Sequence, residues 1–327
     1  MEFEIAIGVE RETNILMPCS TPRCENPAIR NSHTLQKGGV LRYLAEDTGK
    51  VYQTKTTPFT KGDRLKELSA KSASTFPGFC TTCEVSEFSH VENFDVPLTY
   101  DTALPLLWRS LCFVKFRRAQ EVKLRGLMVL KPNLYKIVSD HEDPATGLAT
   151  MLSFKNSIYS YRIARKWTTT LERALKNGGQ ISIIAVSVPD LPFAGAGLIP
   201  IAVDFNREAD ENLFRFDREV SSLAYTTILI EGIPNLIFAM RNMDTRAKLF
   251  CKSMLSMELD LLSAYLPQIV IGGSDTVFVS KKYWDDHASL SDKKIFSHAQ
   301  AMRYPQMAYP SWGGMTKVKI DGVLHVH

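Results

Sequence analysis

Four of the six cysteines fall in two close pairs, Cys19 with Cys24 and Cys80 with Cys83. Thiolates presented from two short turns form the tetrahedral sulfur set that zinc prefers, and a complete set of protein ligands is typical of a structural ion. In a reducing compartment such pairs bind metal more often than they form disulfides. We therefore expect these four cysteines to hold one structural Zn²⁺. Unpaired thiols or a redox pair are the alternatives.

A histidine, His33, lies nine residues beyond the first cysteine pair, and glycines follow it. This histidine and the two cysteine pairs form a pattern that resembles the HNH, or ββα-metal, nucleases over roughly the first 95 residues. In that family a treble-clef zinc scaffold presents a histidine that accepts a proton from water, while a divalent metal stabilises the charge that develops on a phosphate. The segment also resembles uncharacterised bacterial zinc-finger proteins, to which no activity is attached.

The resemblance implies roles for single residues. His33 takes the place of the general base. Ser32 stands where the family has a metal-binding aspartate, and Ser74 lies near the position of an asparagine. Glu84 stands at the last metal ligand, where a carboxylate can bind Mg²⁺ or Mn²⁺. Three of these four positions depart from the family pattern. The alternatives for His33 are a capping or core histidine, or a substitute zinc ligand.

Positive charge is concentrated in the middle of the chain. Residues 1–98 carry 11 basic and 13 acidic side chains, residues 99–178 carry 14 and 6, and residues 179–327 carry 14 and 16. Localised positive charge indicates a polyanionic partner, and we expect a nucleic acid, either DNA or RNA. A solvated helical surface is the alternative. The predicted phosphate-binding residues are Arg109, Lys115, Arg117, Arg118, Arg162, Arg165 and Lys166.

The hydrophobic pattern predicts an α+β fold in three parts: a zinc module at 1–98, a basic helical segment at 99–178 and an α/β domain at 179–327. The resemblance implies that the zinc module is a treble clef. We expect Cys112 and Cys251, in apolar helical runs, to be buried thiols. The small residues Ala194–Gly197 are typical of a loop. Further predictions are strands at 2–10, 49–57 and 316–325, helices at 65–71, 99–130, 144–176, 245–266 and 291–303, and a hairpin across 226–238.

The composition is that of a soluble globular protein, with 45% hydrophobic and 23% charged residues. No apolar run approaches the ~18–20 residues that cross a bilayer. The N-terminus is acidic and alternating, unlike a signal peptide, so we expect a cytoplasmic protein without a membrane partner.

Three functions fit these features. The first is a nucleic-acid-binding protein with an HNH-like nuclease module, acting in bacterial or phage defence. The second is a non-catalytic, zinc-stabilised interaction or regulatory protein, with the C-terminal region forming a homo-oligomer or binding a protein partner. The third is a degenerate nuclease that binds DNA or RNA without cleaving it.

Overall fold

The structure is a computed structural model that describes residues 17–54, 65–92, 96–130, 145–201, 220–289, 292–293, 296 and 318–326. The strand predicted at 2–10 and most of the helix predicted at 291–303 lie outside these residues. The described part combines helices with a multi-stranded sheet, which confirms the α+β class.

The helices are α1 (Val40–Ala45), α2 (Thr81–Phe88), α3 (Tyr100–Leu130), α4 (Ala145–Asn177), α5 (Thr245–Leu255) and α6 (Leu259–Gly273). The strands are β1 (Ser32–His33), β2 (Lys50–Thr54), β3 (Leu65–Ser69), β4 (Thr75–Phe76), β5 (Ile181–Ser187), β6 (Phe193–Pro200), β7 (Ser222–Ile230), β8 (Ile233–Arg241), β9 (Ser274–Ser280) and β10 (Gly322–Val326).

Eight of the described strands form one antiparallel sheet in the order β10-β5-β8-β7-β6-β9-β2-β3. The predicted hairpin is β7 and β8, whose turn residues Glu231 and Gly232 have φ of 49° and 78°. Positive φ at both turn residues matches the right-handed twist of the paired strands. β1 pairs with β4 in a separate two-stranded ribbon, and β10 forms an edge of the large sheet, as predicted for the C-terminal segment.

Helices cover both faces of the sheet. On β5, Ile183 and Ala185 join the core beneath α3 and α4, whereas Ile184 and Val186 join the core beneath α5 and α6. Successive strand residues point to opposite faces, so a strand that is apolar at every position is buried on both sides. This explains the continuous β-branched run in β5.

The expected boundary at residue 98 does not separate two sheets. β2, from the N-terminal segment, pairs with β9 from the C-terminal segment, with Val51 opposite Ser280. α1 belongs to the same buried cluster as Ala194 and Phe278 of the sheet. The N-terminal segment therefore extends the sheet and its core, which a separate module at 1–98 would not do.

Three local predictions were wrong. Residues 65–69 form strand β3 instead of a helix, because all five positions pair with β2. Ala194–Gly197 lies in β6 instead of a loop, and the predicted helix at 245–266 is divided into α5 and α6.

The glycines of β6 allow a close approach of another backbone. A Cβ added to Gly197 would lie 1.9 Å from the carbonyl oxygen of Gly273, where α6 ends and β9 begins. The small residues are thus required by tertiary packing.

No helix in the described ranges combines the length and the apolar composition that a membrane span requires.

Candidate functional site

The sulfur atoms of Cys19, Cys24, Cys80 and Cys83 all lie within 4.8 Å of one another. Cys24 Sγ is 3.8 Å from Cys80 Sγ and 3.6 Å from Cys83 Sγ. A tetrahedral zinc site with bonds of about 2.3 Å separates its sulfurs by about 3.8 Å, whereas a disulfide would bring them to about 2.0 Å. The group is therefore arranged to hold a metal ion such as zinc.

The first cysteine pair lies on a tight backbone turn. The Cys19 N–H donates to the Asn26 carbonyl at 3.1 Å, and the Cys24 N–H donates to the Thr21 carbonyl at 3.1 Å. Arg23 adopts a φ of 67°, which reverses the chain immediately before Cys24. The turn brings two thiols to one side with their backbone polar groups satisfied.

The second pair lies at the start of α2. Cys80 is the N-cap residue, and its sulfur accepts a hydrogen bond from the Cys83 N–H at 3.4 Å. This backbone hydrogen bond lowers the pKa of Cys80 to about 6. Burial raises the pKa of Cys83 to about 12 in the metal-free protein. Because a coordinated thiol is deprotonated by the cation itself, metal binding would release protons from this site.

Aromatic packing joins the cysteine cluster to α3. Phe79, directly before Cys80, contacts Phe88 of α2 and Trp108 of α3, with ring centroids 4.8 Å and 5.2 Å away. All three aromatic side chains are buried in one core that also contains Cys19, Cys80 and Cys83. The cysteine cluster is therefore part of the main core.

Ser32, implied by the resemblance as a metal-binding position, has a structural role here. Its side chain is fully buried, and its hydroxyl accepts from the Phe79 N–H at 3.0 Å. The same hydroxyl lies 3.3 Å from the Phe79 carbonyl, to which it donates. These contacts connect β1 to the segment that delivers Cys80.

His33, the expected general base, is half-buried on β1. Its Nε2 lies 3.2 Å from the Lys71 carbonyl, and since a carbonyl only accepts, the proton lies on Nε2 and Nδ1 carries the lone pair. Burial lowers the pKa of His33, with Lys37 acting in the same direction. The imidazole is neutral at pH 7, so Nδ1 can accept a proton.

Glu84, the expected last metal ligand, faces a buried arginine. Arg109 of α3 is fully buried, and its guanidinium is 3.5 Å from Glu84 Oε1 and forms an ion pair with Glu92. The same guanidinium lies 4.8 Å from the centroid of the Phe88 ring. Burial raises the pKa of Glu84, and the charge of Arg109 opposes that shift.

This cluster corrects the expected roles of two residues. Arg109 cannot reach a phosphate on the surface, because its charge is enclosed between α2 and α3. Glu84 already has a cation beside it, and that cation would repel a divalent metal. Within the described ranges, the four cysteines are the only group of three or more Cys, His, Asp or Glu whose ligand atoms lie close enough to hold an ion.

The remaining predicted residues on α3 are also held within the protein. Arg118 contacts Asp275 at 3.4 Å and the Ser160 carbonyl at 3.2 Å, which connects α3 to β9 and α4. Arg117 donates to Gln120 at 3.0 Å, and Lys115 is half-buried. The four predicted phosphate-binding residues of α3 therefore do not form the exposed surface expected for phosphate contacts.

The predicted residues on α4 are exposed: Arg162, Arg165 and Lys166 all face solvent. Trp167, their neighbour, is buried, and its indole N–H donates to Ser222 at 2.7 Å. Lys155, Arg173 and Lys176 are also exposed on α4, although they were not among the predicted phosphate-binding residues. Their spacing along the helix was the signal that could have revealed them.

The periodicity of α3 was also misleading. Leu104, Leu107 and Leu111 predict one buried stripe, which leaves Arg109 on the opposite face. In the structure every residue from Thr102 to Val114 is buried. The unbroken apolar run 103–108 was the available signal, because a helix that is apolar all round is enclosed on every side.

The comparisons with known proteins assign no family to this arrangement. No protein-family model, curated protein or solved structure matches the chain. The function must therefore be inferred from the four-cysteine site and the exposed charge of α4.

Proposed function

We propose that this chain is a zinc-stabilised nucleic-acid-binding protein that binds phosphates through α4 and does not cleave its ligand. One observation carries the proposal: all six basic side chains of the described part of α4 are exposed, and Glu172 is the one acidic residue among them. Exposed Lys and Arg side chains on a rigid helix attract a polyanion and neutralise its phosphates.

Zinc is the metal that the four-cysteine site suits best, because thiolate ligands in a closed tetrahedral set select it. The order of elements supports a treble-clef arrangement: a first cysteine turn, the paired strands β1 and β4, and α2 with two ligands at its start. The role of the ion here is structural, since four protein ligands leave no open position for a substrate.

Cleavage is not part of this function, because two of the expected catalytic residues are already engaged in contacts within the protein. The Glu84 carboxylate is beside the Arg109 cation, and the Ser32 hydroxyl is engaged by the Phe79 backbone. His33 alone keeps the chemistry of a general base. A base without metal-binding partners gives no stabilisation of the charge on a phosphate.

A second candidate function, protein interaction, is favoured by exposed apolar side chains on and beside α5 and α6. Met243 is 94% exposed, Leu249 56% and Leu259 65%. An exposed apolar patch marks a surface that binds other proteins, and these three residues occur within 17 positions of the chain. This surface is across the sheet from α4, so the two functions are compatible.

The test combines metal analysis, binding and cleavage. We expect one zinc per chain by elemental analysis. Fluorescence anisotropy should show binding to labelled nucleic acid that weakens steeply with salt. Incubation with plasmid, single-stranded DNA and RNA in Mg²⁺ or Mn²⁺ should leave all three intact. Cleavage that disappears in His33→Ala would show that the protein is a nuclease, and absence of binding at low salt would reject the proposal.

A further inference from the structure

Four basic residues of α4 form a straight line, which we call the α4 stripe: Lys155, Arg162, Lys166 and Arg173. With 3.6 residues per turn, the four positions fall within roughly 40° of one another around the helix axis. At 1.5 Å per residue, Lys155 and Arg173 are about 27 Å apart along the axis. All four side chains are exposed. A rigid, linear array of cations therefore runs along this helix.

Further charge lies on one flank of the α4 stripe. Arg165 and Lys176 are exposed and fall roughly 60–80° to one side of it by the same helical geometry. Glu172 is half-buried and lies still further round, about 100° from the centre of the stripe. The positive potential is therefore not interrupted by an acidic side chain of this helix.

The described part of α4, residues 151–177, exposes no aromatic ring beside this charge. Trp167 is buried, and Phe154, Tyr159 and Tyr161 are half-buried. The Tyr159 hydroxyl also accepts a hydrogen bond from the Val220 N–H at 2.9 Å. Proteins that bind single strands stack bases on exposed aromatic side chains, and this surface offers none.

We infer that the α4 stripe binds the phosphate backbone of a double-stranded nucleic acid lying along α4, without reading its sequence. The inference rests on the proposed function and names the form of ligand. A duplex is itself rigid and carries one charge per about 1.7 Å of its axis, so a straight row of cations can face a fixed row of phosphates. Contacts to phosphates alone carry no direct sequence information.

An anionic membrane surface is the competing ligand for such charge. Helices that lie on membranes insert an apolar face beside their basic one. In α4 the main apolar residues, including Ala164, Trp167 and Leu171, are buried in the protein core. The exposed large apolar side chains of the described part of α4 are Met151 and Leu152 near one end and Leu175 near the other. They do not form a continuous apolar face along the α4 stripe, which favours the duplex.

The experiment compares two variants with the same change in charge. Arg162→Ala/Lys166→Ala removes the centre of the α4 stripe, at two positions that are four residues apart in the sequence. Lys248→Ala/Lys252→Ala is the matched control, because both lysines are exposed on α5 with the same spacing on the opposite side of the sheet. Zinc content and circular dichroism verify that both full-length proteins are folded.

The probes are a labelled 24-base-pair DNA duplex, a second duplex of scrambled sequence, one of its single strands, and vesicles of phosphatidylcholine and phosphatidylserine. Anisotropy measured across a range of salt gives the dependence of log K on log salt. For the duplex, we expect the stripe variant to lower the magnitude of that slope by about 1.8, since each lost phosphate contact contributes about 0.9. Duplex affinity should fall by about tenfold or more, while the control matches the wild type.

We also expect equal affinity for both duplexes and weaker binding of the single strand. Tighter binding of the single strand would overturn the inference and leave the proposed function intact. Equal losses in the two variants would show that α4 is not the phosphate-binding surface and would overturn both. Binding to no nucleic acid would overturn both. Vesicle binding that is stronger than duplex binding and is lost in the stripe variant would replace the nucleic acid with a membrane surface.

Discussion

At the scale of single residues, Arg109 connects the metal site to the rest of the protein. Its buried cation contacts Glu84, directly after Cys83, and Glu92, just beyond α2. It also lies over the ring of Phe88. A buried charge is tolerated when it is paired, and breaking such a pair leaves its partners uncompensated. Arg109 therefore holds α2, and with it two cysteine ligands, against α3.

Replacement of Arg109 should destabilise the fold. We expect Arg109→Met, which keeps the length of the side chain, to lower the free energy of unfolding by about 3 kcal/mol, because two carboxylates lose their cation. Urea denaturation of the zinc-loaded protein measures this. Arg162→Met is the control, and its exposed position predicts a change within about 0.5 kcal/mol. Similar effects of the two substitutions would show that Arg109 does not stabilise the packing of α2 against α3.

The pKa of His33 predicts how stability depends on pH. Burial lowers this pKa below its ordinary value of about 6.5, so the folded state binds the proton less tightly than the unfolded state. The contribution of His33 to the free energy of unfolding is fully present above pH 6.5. It is lost as the pH falls toward the pKa of the folded state. The hydrogen bond to the Lys71 carbonyl opposes this shift and Glu92 also raises the pKa, whereas Lys37 and Arg109 lower it.

We therefore expect the zinc-loaded wild type to lose more stability between pH 8 and about 5.5 than His33→Gln does. Glutamine is chosen because its amide can still donate to the Lys71 carbonyl. Denaturation curves at four pH values, with zinc content verified at each, provide the measurement. Parallel curves for the two proteins would mean that His33 has the same pKa in both states.

At the scale of elements, β6 packs closely against the junction between α6 and β9. Gly195 and Gly197 lie in β6, and an added Cβ would be 1.9 Å from Ser274 Oγ or from the Gly273 carbonyl oxygen, respectively. A side-chain hydroxyl can rotate away, whereas a carbonyl at a helix end cannot move without its helix. Gly197 is thus the more restrictive position.

Gly197→Ala should cost about 3 kcal/mol of stability, because overpacking here displaces backbone. Gly322→Ala in β10 is the matched control, since nothing lies within 4 Å of its added Cβ. The control should change stability by no more than about 0.5 kcal/mol. Thermal denaturation of both variants distinguishes them, and a neutral Gly197→Ala would contradict the close approach.

At the scale of the whole molecule, one core joins the metal site to the far edge of the sheet. The buried cluster that contains Cys80 and Trp108 continues through Ile183 to Val326 of β10. The opposite end of the sheet is built from β2 and β3, whose residues precede the second cysteine pair. All three expected domains contribute to this one buried cluster, and the first and third also share one sheet.

Removal of the metal should consequently destabilise the molecule as a unit. A metal present at 1,000 times its dissociation constant contributes about 4 kcal/mol, so chelation should lower the melting temperature by about 6 °C. Tryptophan fluorescence and far-ultraviolet circular dichroism should agree with each other on the midpoint in the metal-loaded protein, and should agree again, at a lower temperature, in the chelated protein. A separate low-temperature transition in the chelated protein would show that the cysteine region unfolds independently.

Several features could be predicted from residues that are close together in the sequence. These are the cysteine pairs, the β-branched run of β5, the turn between β7 and β8, and the long helical pattern of α4. The α+β class followed from such segments, and the buried state of Cys112 and Cys251 followed from their apolar neighbours. The exposed basic residues of α4 were partly identified in the same way.

Only the tertiary structure decided which charges reach solvent and which strands meet. Arg109 and Arg162 both lie on helices for which the sequence predicts a basic face. Arg109 is nevertheless buried against α2, whereas Arg162 is exposed. Residues 65–69 became a strand because β2 offered a pairing edge, and Gly197 was needed because another backbone approaches it. The physical reason is common to all three: burial and strand pairing depend on partners distant in the chain, whereas propensity and periodicity depend on neighbours within a few residues.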